Sequence, residues 1–385
     1  MIKVPRRTAR EPLRWSYLGH EVVVEFCHGA EAERSIRELR NQGASIPLQH
    51  QREWIWGQRG HETWFVSIRP DANAECTYGL AVRNIPRRPL PGHRRLRVER
   101  FGATDDPVSA EVMLGVLKHL AYAEPRVLQI EVSVFSKDAE MLRRIEDYAR
   151  ALGYRELSGD GTYRATVAVD LRPEENEILA SFTTRARRGI RAPAKRGLEV
   201  KVITDVELAQ RMGALLQESM RRTGVDSPGF DFEPYIALAG NHPELLRVVG
   251  TFDPRVGGPE ALVGYAIGEM HGDHVTYSHA ACLPAAVSNA PITHAPTWDL
   301  MRWARRNGAT WFDFGGISMP DGDTRDPLRG VSDFKKTFSS DILRVGDTWI
   351  LEPRPVRARL AAAISACVAG VSRRSQWSQR SRSGQ

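Results

Sequence analysis

The chain of 385 residues, 42% hydrophobic and 26% charged, is long enough for two or three domains that each bury a core. Its four cysteines, Cys27, Cys76, Cys282 and Cys367, lie far apart and form no CxxC or Cys/His cluster, which argues against a disulfide framework or a zinc site and for a reducing compartment. The formal charge of +7 is gathered at one end: from Arg354 onward there are seven arginines and no lysine or acid, so residues 1–353 are neutral and present no generally basic body to nucleic acid.

Residues 1–15, MIKVPRRTAREPLRW, are basic but lack the apolar centre of a signal peptide. No run approaches the ~20 apolar residues of a membrane span, and a cytoplasmic protein is expected. A β-branched run at 21–26 precedes a helical pattern at 31–40, and the Trp-rich segment 48–56 precedes strand patterns at 61–69, 76–85 and 95–101. Apolar spacing then predicts a helix over 107–123, a strand over 127–135, a helix over 137–152 closed by Gly153, and a strand over 163–171.

The same order recurs. Helices are predicted at 205–222 and 232–239, strands at 245–252, 261–270 and 274–282, a helix at 292–306, a strand at 311–314 and a closing strand pair across 342–351. The expected fold class is α+β (mixed α/β), with two sheets of similar design flanked by helices. The boundaries read as an N-terminal domain at 1–172, a basic linker helix at 173–199, a C-terminal domain at 200–353 and a basic, disordered tail at 354–385.

Two stretches stand out. Residues 310–338, TWFDFGGISMPDGDTRDPLRGVSDFKKTF, read as a buried strand ending in Gly315 and Gly316, a polar loop, and a short helix over 332–339. Paired glycines let backbone N–H groups approach a ligand closely, and the helix turns Phe334 inward while presenting Lys335 or Lys336. The commonplace alternative is a surface loop followed by solvated lysines. The second stretch, TRARRGIRAPAKRG at 184–197, has six cations between Arg185 and Arg196 and no acid. At about 100° per residue Arg188, Arg191 and Lys195 share one face, suited to phosphates, although Pro193 argues against an unbroken helix and a merely solvated face is the plain alternative.

The strand end DFGGI followed by G-V-S-D-F-K-K-T-F, together with R-x-x-I-R-x-x-x-K-x-G after the strand V-x-V-D-L, resembles the FemABX family of bacterial transferases. That resemblance implies two tandem acetyltransferase-like (GNAT) domains and the transfer of an amino acid from aminoacyl-tRNA to an amine of a peptidoglycan precursor, UDP- or lipid-linked, in cell-wall synthesis and cell shape. It places the catalytic lysine at Lys335, beside Phe334, with Arg188, Arg191 and Lys195 flanking a cleft, and it sets Tyr235 and Tyr277 near the precursor. A half-buried core tyrosine is the alternative for each.

Aminoacyl transfer from an ester to an amine needs no metal or redox cofactor. The site must orient the amine, move a proton and stabilise the oxyanion. His279, Glu269 and Asp313 are candidate proton acceptors or amine-orienting groups, against the commoner reading of buried, paired side chains. Acyl-CoA is the less favoured donor, because the stretch 283–297 lacks glycine and the segment FGATDDPVSAEV carries acids where a diphosphate cradle needs bare N–H groups. An acyl-CoA-dependent N-acyltransferase acting on a small amine or polysaccharide unit, and a non-catalytic protein binding a nucleotide-sugar or RNA, remain open readings. The chain departs from the resemblance at Asp231, where a basic phosphate contact is expected, and after Trp54, where Gln58 and Arg59 stand in place of lysine; Arg59 is kept as a substrate-binding candidate. It also lacks a long helical hairpin between residues 205 and 242. The arginine tail reads either as a solvated segment or as a contact with the inner membrane face or RNA.

Overall fold

The computed structural model describes residues 11–57, 62–86, 92–104, 106–157, 164–224, 229–284, 291–317 and 329–364. In chain order the strands are β1 Leu13–Tyr17, β2 His20–Phe26, β3 Glu62–Arg69, β4 Tyr78–Pro86, β5 Arg94–Phe101, β6 Val127–Val134, β7 Arg155–Glu156 and β8 Ala165–Asp170. They continue as β9 Glu199–Val202, β10 Leu246–Phe252, β11 Leu262–Met270, β12 His274–Cys282, β13 Trp311–Gly316, β14 Ile342–Arg344 and β15 Thr348–Leu351.

The strands form two mixed sheets. One runs β1-β2-β3-β4-β5-β6-β15-β7 and the other β14-β8-β13-β12-β11-β10-β9. In each, antiparallel hairpins lead to one parallel pair, β5/β6 and β12/β13, crossed by the helices Pro107–Ala123 and His294–Arg306. Parallel neighbours need such a crossover, so the repeated element order of the sequence becomes a repeated architecture.

The chain divides into two units differently from the expected split at residue 172. Unit 1 holds residues 1–43, 59–160 and 347–385, and unit 2 holds 44–58 and 161–346. Strand β8, placed by sequence in the first domain, pairs with β13 and β14; the predicted closing pair separates, with β14 on β8 and β15 on β6. Alternation marks a run as a strand without naming the sheet that receives it, and this is why the local reading erred.

In unit 1, alternate residues such as Val22, Val24, Val66, Ile68, Leu80 and Val98 pack with Leu114, Leu117 and Ile145 of the helices Pro107–Ala123 and Ala139–Ala151. In unit 2 both sheet faces are covered. Met212, Leu215 and Ile236 pack on one, Ile178, Phe182, Leu300 and Trp303 on the other, so every residue of β11 is buried. A strand buried on both faces reads as a continuous apolar run.

The segment 173–199 is two helices, Glu175–Ser181 and Thr184–Lys195, built into unit 2 through Ile178, Phe182 and Ala186. Pro193 lies inside the second helix, two residues from its end, and removes one i→i−4 hydrogen bond there. Within the tail, residues 355–364 are helical, and Ala361 is buried. Arg354 fixes its start by donating to the carbonyls of Ala121, Tyr122 and Val127. No helix among the described residues is long and apolar enough to cross a membrane.

Candidate active site

The parallel ladder between β12 and β13 is short. It joins His274 to Trp311, Val275 to Phe312 and Thr276 to Asp313, and then stops, although β12 continues to Cys282 and β13 to Gly316. Among the described residues no other strand pairs with that edge of β12, so the sheet forks past Thr276 and Asp313. In unit 1 the equivalent pair β5/β6 stays joined to Phe101 and Val134. An opening between parallel strands therefore belongs to unit 2.

Lys335 fills this fork. The predicted helix at 332–339 is found at Arg329–Lys335, with a turn after it, and Lys335 lies in its last turn, where a cation meets the negative end of the helix dipole. The side chain is only 6% exposed, and Nζ donates to the carbonyl oxygen of Gly316 at 2.5 Å. Burial pulls the ammonium down to about 8, and attraction to Asp313 opposes that fall. Lys335 is thus a cation held close to neutrality at physiological pH.

Asp313 closes the base of the fork. Fully buried, it accepts from Thr166 Oγ1 at 2.6 Å, Thr276 Oγ1 at 2.7 Å and the Gly315 N–H at 2.9 Å. A carboxylate with donors on both oxygens is a fixed negative charge rather than a ready base. Gly315 adopts φ +73°, which turns its N–H back onto Asp313; a Cβ there would lie 3.2 Å from the Tyr277 carbonyl oxygen and 3.7 Å from Lys335 Nζ. The Gly315 N–H is therefore not the ligand donor that the paired glycines suggested, and Gly316 contributes an acceptor to Lys335.

A bulge in β12 sorts its side chains. Ile267 of β11 faces His279 and the next residue, Gly268, faces Tyr277, leaving Ser278 as the extra residue. Such a bulge inverts the alternation of the faces. Tyr277 consequently packs beside Phe314 and Phe334, at centroid distances of 5.7 and 6.3 Å. Burial raises its hydroxyl above the ordinary tyrosine range, against the hydrogen bond it shares with Thr297.

His279 emerges on the opposite face, 5.6 Å from Tyr235 and 4.6 Å from Phe230. Burial lowers its imidazole to about 4, so the ring is neutral, and its Nδ1 has no hydrogen-bond partner among the described residues. Tyr235 is buried in this aromatic group, edge-on to Trp54 at 5.2 Å. The two tyrosines therefore lie on different faces of the sheet.

Glu269, Thr276 and Asp313 occupy one row across β11, β12 and β13. Glu269 is not at the fork. It accepts from Gln49 at 3.1 Å and lies 3.8 Å from His271 Nε2, a buried polar group of the kind the plain reading anticipated.

The helix Thr184–Lys195 buries Ala186, Gly189 and Pro193 and exposes Arg188, Arg191 and Lys195. Gly189 permits close packing, since a Cβ there would lie 2.6 Å from the His294 ring. Lys336 is half-buried, Asp231 accepts from the Glu233 N–H at 3.0 Å, and Gln58, Arg59 and residues 318–328 lie outside the described residues.

Sequence reasoning missed Thr166 and Thr276, whose hydroxyls fix Asp313, and His294. His294 lies 4.8 Å from Phe334, edge to face, with both ring nitrogens buried and lacking a partner among the described residues; burial and nearby Arg185 lower it to about 4. Thr166, a lone hydroxyl in the apolar run ATVAV, was the available signal for the first; Thr276 stands in the polar stretch TYSH and gave none, and the position of His294 follows from helix packing alone.

Residues 180–336 match the family model described as an acetyltransferase (GNAT) domain, and unit 2 carries that acyltransferase-type domain. No curated protein is matched by sequence. Among solved structures the chain is similar to FemX, with a TM-score of 0.68 at 16% identity, covering 87% of this chain and 99% of that one. It is also similar to L-PGS from Bacillus licheniformis, with a TM-score of 0.50 at 12% identity over 88% of this chain and 96% of that one. A tandem GNAT protein from the clavulanic acid biosynthesis pathway gives a TM-score of 0.50 at 13% identity, covering 87% of this chain and 99% of that one. At these identities the likeness is one of fold, and the fold is the tandem GNAT-like architecture that the sequence led us to expect.

Proposed function

We propose that the chain is an aminoacyltransferase that forms a peptide bond from aminoacyl-tRNA onto an amine of a peptidoglycan precursor at the cytoplasmic stage of cell-wall synthesis. The observation that carries this reading is Lys335, a buried ammonium seated in the fork between β12 and β13 beside the fixed charge of Asp313. In the reaction the neutral amine attacks the ester carbonyl carbon. The C–N bond forms, the carbonyl electrons move onto oxygen, and Lys335 stabilises that oxyanion in a site poor in water, where one donor is commonly worth about 10²-fold or more in rate. On collapse the bond to the ribose oxygen breaks, and the proton lost by the amine ends on that oxygen, so the step releases no net proton and calls for no metal or redox group.

Of the three candidate proton carriers, Asp313 and Glu269 already accept hydrogen bonds, whereas neutral His279 keeps an unused ring nitrogen. The exposed Arg188, Arg191 and Lys195 suit the phosphates of a tRNA or of the precursor.

The match to an acetyltransferase domain supports a second reading, N-acyl transfer from acyl-CoA. Donor exchange separates the two. Purified chain given a radiolabelled aminoacyl-tRNA pool and a murein precursor should move label into RNase-resistant product, and acyl-CoA should not replace the tRNA. Acylation that requires CoA and ignores tRNA would overturn the first reading and leave the fold untouched.

A further inference from the structure

We infer that the C-terminal helix, residues 355–364, is an interfacial device that docks this chain on an anionic lipid bilayer. Among the described residues the helix is anchored on one side and exposed on the other. Ala361 is 1% exposed, and Arg354 ties the helix start to three carbonyls of the same unit. On the far side Val356, Leu360 and Ile364 are 69%, 60% and 42% exposed. At about 100° per residue these three span an arc of roughly 80°, whose centre lies about 130° from the midpoint of Ala361 and the half-buried Ala358.

Charge complements this stripe. Arg357 and Arg359 are exposed and flank it, one on each side, and no acid occurs anywhere from residue 354 to 385. An apolar ridge between cations is the pattern of a helix lying in the plane of a membrane, with its side chains in the acyl boundary and its arginines at the lipid phosphates. The arrangement favours lipid over RNA. Both offer phosphates, but only the bilayer takes up aliphatic side chains as well. The inference concerns a surface of unit 1 and does not rest on the reaction proposed for unit 2.

Vesicle sedimentation of the full chain tests it. Binding should be found with vesicles containing phosphatidylglycerol and be at least about tenfold weaker with phosphatidylcholine alone. The double variant Leu360→Glu/Ile364→Glu should lose about tenfold or more of the binding to anionic vesicles, and Arg357→Glu/Arg359→Glu should lose a similar factor that narrows as salt is raised. All four positions are exposed, so thermal unfolding of both variants should match the wild type, which separates lost docking from lost folding. Equal vesicle binding by Leu360→Glu/Ile364→Glu and the wild type would overturn the proposal. So would a wild-type chain that binds no vesicle, or one that binds a tRNA through these arginines and ignores lipid.

Discussion

Lys335 Nζ donates to the carbonyl oxygen of Gly316 at 2.5 Å, across nineteen positions of the chain, and this contact places a cation where the ladder between β12 and β13 has just ended. Neighbouring strands that stay paired leave no room for a substrate between them. Here the gap is occupied by one charged side chain, which can be drawn toward an oxyanion without rebuilding the sheet.

The ionisation of Lys335 sets the pH dependence. Its folded value of about 8 lies below the ordinary lysine value of 10.5, so oxyanion stabilisation requires pH below about 8 and the rate should fall as pH rises through that point. A rate that rises there would assign Lys335 as a base. The stability sign is the reverse. Between about 8 and 10.5 the unfolded chain binds more protons than the folded one, so stability increases with pH across that window and the cost of burying the charge is full below it. Lys335→Met should therefore slow transfer by about 10²-fold or more while leaving the thermal midpoint at pH 7 equal or higher, read by calorimetry.

Asp313→Asn keeps the shape of the side chain and removes its charge. The hydroxyls of Thr166 and Thr276 then meet an amide in place of one acceptor, and denaturant unfolding should report a loss of about 1–3 kcal/mol. The carboxylate also raises the Lys335 value, so its removal should shift the alkaline fall in rate to lower pH. An unmoved pH profile would separate Asp313 from Lys335.

Gly315→Ala should be costly for two reasons. The residue sits at φ +73°, which a side chain adopts at about 1–2 kcal/mol, and the new Cβ would press on the Tyr277 carbonyl oxygen at 3.2 Å. Lower stability together with slower transfer is expected, the second because Lys335 Nζ is only 3.7 Å from the same point. Wild-type turnover in a stably folded Gly315→Ala would show that the fork tolerates displacement.

Much of this was legible in the chain. The FKK triplet and the double glycine pointed to Lys335 or Lys336 and to the end of β13 because both are local patterns, and the family resemblance singled out Lys335. The partners of Asp313 were not legible, since Thr166 is 147 positions away and only the sheet brings it near. The bulge at Ser278 was equally hidden, because TYSHAAC carries no glycine or proline to mark it, and the single extra residue sends Tyr277 and His279 to opposite faces. The exchange of β8 and β15 between sheets escaped for a related reason: apolar alternation reveals a strand, whereas its partners are chosen by tertiary packing.

Charge reversal at Arg188 and Arg191 tests the basic helix. Both are exposed, so Arg188→Glu/Arg191→Glu should unfold at the wild-type temperature yet bind a tRNA or the precursor about tenfold or more weakly at low salt, converging with the wild type as salt is raised. Unchanged affinity by filter binding would return this face to solvent.

The most direct measurement is label transfer from aminoacyl-tRNA to the precursor amine by the wild type and by Lys335→Ala, side by side, with binding of both substrates measured for each. The account predicts transfer by the wild type, a fall of about 10²-fold or more in the variant, and nearly equal substrate binding. Equal transfer by the two proteins would contradict it, as would a variant that has lost its fold.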